Sequence, residues 1–139
     1  MPSEKRLAAA VAEELSASLL AGEDIFTKES LAAAAGAVLE AAMDREPGKP
    51  AIVVRSVTGP VADRLTRITV VNDDMPFLVD SIATTVDAQG LAIDRLVHPM
   101  VTVRRTEAGR LTDLSVGGEK GLRESIVYIE TPAPTRGPA

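Results

Sequence analysis

The stretch Val70-Val71-Asn72-Asp73-Asp74-Met75-Pro76-Phe77-Leu78-Val79-Asp80-Ser81-Ile82 changes its hydrophobic period part-way along. Up to Asn72, Ile68 and Val70 alternate with Arg67 and Thr69, the pattern of a strand with one face buried. From Met75 onward, Met75, Leu78, Val79, Ile82 and Val86 fall on one helical stripe. Pro76 suits the first turn of that helix, where its missing N–H matters least. Gly90 suits the position just past the end, where the backbone often turns left-handed. The spacing therefore predicts a strand from about Leu65 to Asn72, an acidic turn, and a helix closed by Gly90.

Outward from this unit, Ala51 to Val57 (AIVVRSV) reads as a short β-branched strand. Downstream, Leu91 to Arg105 reads as a long extended segment in which Leu91 and Ile93 alternate, the phase shifts near Asp94 to Leu96, and Val101 and Val103 alternate again. A bulge or bend near Pro99 would explain the shift. Thr106-Glu107-Ala108-Gly109 has the composition of a hairpin loop with Gly109 at positive φ, leading to a strand around Leu111 to Val116. The loop Gly117 to Gly121 then precedes a last strand, Ser125 to Thr131.

Before the sheet, Leu7, Val11, Leu15 and Leu19 recur every four positions on an alanine-rich background, predicting a helix over Glu4 to Leu20. Gly22 breaks it, Thr27 suits an N-cap, and a second helix to about Asp44 aligns Leu31, Ala35, Val38 and Ala42. Neither helix buries much alone, so the pair should pack on the sheet-forming part of the chain or on a partner. Arg45 to Pro50 reads as a linker. The expected fold class is α+β: an antiparallel sheet with a helix on one face, preceded by a helical hairpin. Its expected parts are a helical pair over residues 1–46, a sheet domain over 51–131 and a disordered, proline-rich tail over 132–139.

A chain of 139 residues suits one domain with a modest core. Phe26, Phe77 and Tyr128 are its only aromatics, which leaves few platforms for stacking bases or sugars. The net charge of -5 opposes attraction to nucleic acid and anionic membranes, so neither is expected as a partner. The absence of cysteine excludes disulfides and thiolate chemistry. Glu13 and Glu14 interrupt what would otherwise resemble a signal peptide, and no run approaches the ~18 apolar residues of a membrane span. A cytoplasmic location is expected.

The acidic turn is the first candidate site, with Asn72, Asp73, Asp74, Met75, Pro76 and Phe77 as its residues. Free N–H groups at a helix start favour a carboxylate, while Asp73 or Asp74 could take an ammonium group, so an amino acid would fit there. The plainer reading is that one aspartate caps the helix and the other is solvated. His98 is the single histidine, so no metal site built on two histidines is available, and no metal is expected. Ser81 or Ser125 with His98 has the residue types of a nucleophilic site but no G-x-S-x-G signature. The loop from Gly117 to Gly121 lacks the Lys-Ser/Thr ending of a phosphate loop. Arg95, Arg104 and Arg105, with His98 among them, form the densest basic stretch: a candidate interface, or a solvated edge that discourages aggregation.

The run from Arg67 to Ser81 resembles the V-N-D-D-M-P-F-L-V-D-S stretch in the N-terminal ACT-like region of the large bacterial NAD-dependent glutamate dehydrogenases. Leu96-Val97-His98-Pro99-Met100, Val103-Arg104-Arg105, Gly109-Arg110-Leu111 and Glu124-Ser125 come in that family's order, so the resemblance covers about Ile52 to Thr131. It implies an ACT-like fold with a ferredoxin-like βαββ core, in a region that is itself non-catalytic. It further implies a parent that oxidises glutamate to 2-oxoglutarate, with NAD bound in a distant catalytic part and no cofactor in this chain. The implied role is regulatory or organisational, with the rest of the parent polypeptide, a second copy in a homodimer or higher homo-oligomer, or an amino-acid effector as partners. Phe77 stands where ACT domains usually carry a small glycine, which favours packing at the turn over a ligand pocket. The sequence also stops where an ACT fold would enter its second helix and last strand, so either more chain lies beyond it or the strand at Ala51 to Val57 fills that place in the sheet. A ligand-independent interaction module is the competing reading. A small free-standing enzyme is disfavoured by the single histidine and absent cysteine.

Overall fold

Alanine-rich sequence with leucine or valine at helical spacing forms α1 (Glu4–Ala17) and α2 (Lys28–Met43). The computed structural model describes residues 4–17, 28–46, 48–58, 64–73, 78–90, 95–115 and 121–132. The expected Leu19, Gly22 and Thr27 signals lie outside them. β-Branched runs form β1 (Ala51–Thr58) and β2 (Arg64–Asp73), and α3 (Leu78–Ala88) comes next. β3 (Arg95–Val97), β4 (Met100–Arg105), β5 (Leu111–Ser115) and β6 (Leu122–Pro132) complete the sheet. Gly90 closes α3 at φ 76°, its N–H donating to the Asp87 carbonyl at 2.9 Å.

The strand order is β1-β2-β6-β4-β5, with β3 also paired to β6, and every pairing is antiparallel. Since β2 and β3–β4 both run against β6, they are parallel to one another and are joined through α3. This strand–helix–strand unit with a later strand inserted between its halves is the ferredoxin-like core of an ACT-like fold. β1 takes the outer place beside β2, the alternative in which the early strand fills the sheet.

The expectation of one buried face on β2 is corrected, because both faces are covered. Val71, Val97, Val101, Ile126 and Tyr128 pack with Leu7, Val11, Ala35 and Val38 of the helical hairpin. Val70, Val127 and Ile129 point the other way, with Ile68, Leu96 and Ile82 of α3 packed against them. A sheet covered on both sides needs apolar residues at both parities, which blurs the alternation. This also explains the apparent phase shift near Leu96: Leu96 faces α3 and Val97 faces the hairpin. No bulge lies at Pro99. The pairs Val97↔Tyr128 and Met100↔Ser125 keep one register, and the ladder skips only at His98 and Pro99, where the proline has no N–H to give. The register shift occurs instead at Arg104/Arg105 against β5, where Asp113 and Leu111 are the successive partners and Thr112 is the extra residue. That bulge lets Leu111 and Leu114, three residues apart, both enter the core.

Within α1, Glu14 is buried beside the leucines and its Oε1 has no partner among the described residues. Desolvation, reinforced by Glu13, pushes its carboxyl above the usual range. No helix among the described residues is long and apolar enough to cross a membrane.

Candidate functional site

The acidic turn begins where β2 ends, and its two described residues face opposite ways. Asn72 accepts the Asp73 N–H through Oδ1 at 2.9 Å, an Asx-type local bond. Asp73 lies on the hairpin side and pairs with Arg45 Nη2 at 2.5 Å. Asp74, Met75, Pro76 and Phe77 lie outside the described residues.

Arg45 falls in the expected linker, yet its side chain is only 3% exposed. It comes just after the end of α2 and sends Nη1 to Glu124 Oε2 at 3.3 Å, while its backbone N–H donates to the Gly109 carbonyl at 3.1 Å. Glu124, wholly buried on β6, also receives Arg105 through Nε at 2.9 Å and Nη2 at 2.8 Å. Arg105 Nη1 donates to the Ala42 carbonyl at 2.7 Å and the Gly109 carbonyl at 2.8 Å. Its cation thus sits against the last carbonyls of α2, where the helix dipole favours positive charge. Two guanidiniums meet two carboxylates, so the cluster is neutral, and the Arg105–Glu124 pair has the forked, charge-assisted geometry that makes such pairs strong. Chemically it is a lock joining α2, β2, β6 and the β4–β5 hairpin. Gly109, at φ 95°, makes it possible: a Cβ there would stand 1.9 Å from the Arg45 carbonyl oxygen.

The basic stretch does not form one surface. Arg105 is turned inward, Arg104 is exposed, and His98 is half-buried at the break between β3 and β4. Arg95 stands opposite Glu130, six residues along β6 from Glu124, with Nη1 3.8 Å from Glu130 Oε1. Beside it, the fully buried Tyr128 donates its hydroxyl to Glu130 Oε2 at 2.6 Å and accepts Arg67 Nε at 3.0 Å. Burial first, and the Glu130 bond second, raise the Tyr128 hydroxyl well above the ordinary tyrosine range, so it stays protonated. Of the serines, Ser81 is exposed and Ser125 is buried with its hydroxyl on the Met100 sulfur at 3.3 Å.

Comparison with known families matches residues 11–138 to the family described as glutamate dehydrogenase, ACT1 domain. The chain belongs to that family. Over 68 residues, 47% of the chain, this ACT1 domain is 34% identical to the NAD-specific glutamate dehydrogenase of Pseudomonas aeruginosa. That alignment spans 4% of the relative's own length. No solved structure matches the ACT1 domain.

Sequence reasoning finds the acidic turn of the ACT1 domain but not the side chains that hold it. Arg45 carries no local signal, since its partner Glu124 is 79 positions away. A signal does exist for the two acids: Glu124 and Glu130 bracket the run Ser125 to Ile129 at one strand parity, with Ile126 and Tyr128 between them. Two carboxylates on the buried face of a hydrophobic strand require cations near both ends.

Proposed function

We propose that this ACT1 domain is a non-catalytic assembly module of a larger NAD-dependent glutamate dehydrogenase, whose separate catalytic part oxidatively deaminates glutamate to 2-oxoglutarate. The observation that carries the assembly reading is β1, which among the described residues has a partner on one edge only and exposes Ile52 at 59% and Val54 at 55%. An unprotected edge with adjacent apolar side chains favours association with a second copy or with the rest of the parent. The acidic turn supports the same reading, because Asp73 is already engaged by Arg45 and holds the helical hairpin down. NAD belongs to the parent's catalytic part in this reading, and the parent works in the cytoplasm.

Sedimentation velocity over a wide concentration range tests the association. A mass that rises with concentration in the unaltered chain and stays monomeric in Ile52→Asp/Val54→Asp is the expected result. A concentration-independent monomer removes homo-association from the proposal. For the alternative of amino-acid sensing at the turn, calorimetric titration with a panel of amino acids is decisive only with variants. A binding heat abolished by Asp73→Ala or Asp74→Ala would favour sensing there over assembly.

A further inference from the structure

The two N-terminal helices are held very differently. α2 lies on the sheet, against β1, β2 and β6, whereas α1 packs chiefly on α2 and on β5, an edge strand. The buried stripe of α1 is Leu7, Val11 and Leu15, and Glu14 stands within it, three residues after Val11 and seven after Leu7. A helix attached through one apolar stripe thus carries an acid in that stripe.

The acid is enclosed as fully as its neighbours. Glu14 is 6% exposed, and its Oε1 has no hydrogen-bond partner among the described residues. A carboxylate so placed gives up its hydration and gains no bond in return, while the protonated acid costs far less to bury. Among the described side chains, the charged ones on α1 and its two neighbours are Lys5, Arg6 and Glu13 on α1, Lys28, Glu29 and Glu40 on α2, and Asp113 on β5. Glu40 is engaged by Arg55, and Asp113 accepts the Leu114 N–H at 2.9 Å. Of the whole set, Glu13 is the one whose charge bears on Glu14, and it opposes ionisation.

We propose that α1 is a proton-gated strap, closed on α2 and β5 while Glu14 keeps its proton and lifted when that proton passes to water. In the lifted helix Glu14 titrates at the ordinary glutamate value of about 4.3; in the closed helix burial and Glu13 hold it higher. Closure is therefore strongest below the lower value, weakens as pH rises between the two, and levels off above the upper one. Lifting bares Leu7, Val11 and Leu15 together with the apolar surface they cover. Neither β1 nor the acidic turn takes part, so the strap stands or falls independently of the assembly reading.

Amide hydrogen exchange of the 139-residue chain, followed by NMR from about pH 4 to about pH 8 and divided by intrinsic exchange rates, tests the proposal. The α1 amides are expected to lose protection with rising pH, by up to about tenfold per pH unit between the two titration points, while those of β6 hold theirs. Glu14→Gln is expected to flatten the α1 profile, and Glu14→Leu to flatten it at higher protection. The carboxyl carbon resonance of Glu14 in the unaltered chain is expected to titrate above the ordinary glutamate range, and this readout decides the matter even if the variants fail to fold. A Glu14 carboxyl titrating at or below about 4.3, an α1 profile no steeper than that of β6, or the same pH dependence in a folded Glu14→Gln would each overturn it.

Discussion

Strand β6 carries a glutamate near each end of its hairpin-side face, and the two have opposite fates. Glu124 receives Arg45 and Arg105, while backbone carbonyls from α2 and the β4–β5 loop take the remaining Arg105 donor and nothing of the carboxylate is exposed. Glu130 faces Arg67 and Arg95 across the strands, but among the described residues only the Tyr128 hydroxyl bonds it at close range, and its side chain keeps some exposure. The same residue types thus make a closed lock at one end and an open row of charged side chains at the other. The difference lies in the backbone. Where a helix terminus and a tight loop converge, their orphan carbonyls complete the hydrogen bonding of a guanidinium. Where only strands meet, their carbonyls are already used in the ladder, and the Arg67 guanidinium keeps terminal donors that no described residue takes.

Four substitutions sharpen this contrast. Glu124→Gln leaves two buried guanidiniums without their shared counter-charge and is expected to lose about 3–5 kcal/mol of stability in urea denaturation. Next comes Gly109→Ala, which forces a Cβ against the Arg45 carbonyl at a positive φ; roughly 2–3 kcal/mol should disappear in the same measurement. At the open end, Glu130→Gln should lower stability by no more than about 1 kcal/mol, since an amide can still accept the tyrosine proton. A loss equal to that of Glu124→Gln would erase the distinction between the two ends. Smallest of all, Asp73→Asn removes the exposed arm of the lock while Arg45 keeps Glu124, and a change of about 0.5 kcal/mol is expected, shrinking further in high salt.

Elements defined by local chemistry are legible in the sequence. The change of period at Asn72, Gly90 after α3 and the positive φ at Gly109 all arise from residues within one or two turns of each other. What escapes is set by distant partners. The covering of both sheet faces turns Thr69 and Val71 from an outward into an inward set. Pro99 reads as a bulge because a two-sided strand has no clean alternation to interrupt, and the real bulge at Thr112 is visible only once β4 supplies a register. Arg45 reads as linker because Glu-Pro-Gly comes after it, and only the fold shows that the helix ends on a buried charge. The acidic turn is found by its composition. The row of Arg55, Arg67, Glu130 and Arg95 across the sheet is not, because its members come from four strands and share no sequence window.

The placement of β6 bears on how the chain reaches this state during synthesis. The last strand of the six is the central one, bonded to β2 along one edge and to β3 and β4 along the other. Until residues 122–132 have left the ribosome, β2 and β4 each present a bare edge, and the valines of both strands lack the layer between them. Most of the sheet's pairings join residues far apart in the chain, a topology that folds slowly. The nascent domain therefore passes through a sticky, half-built interval that ends in a single closing event, and chaperone occupancy should fall sharply as β6 emerges.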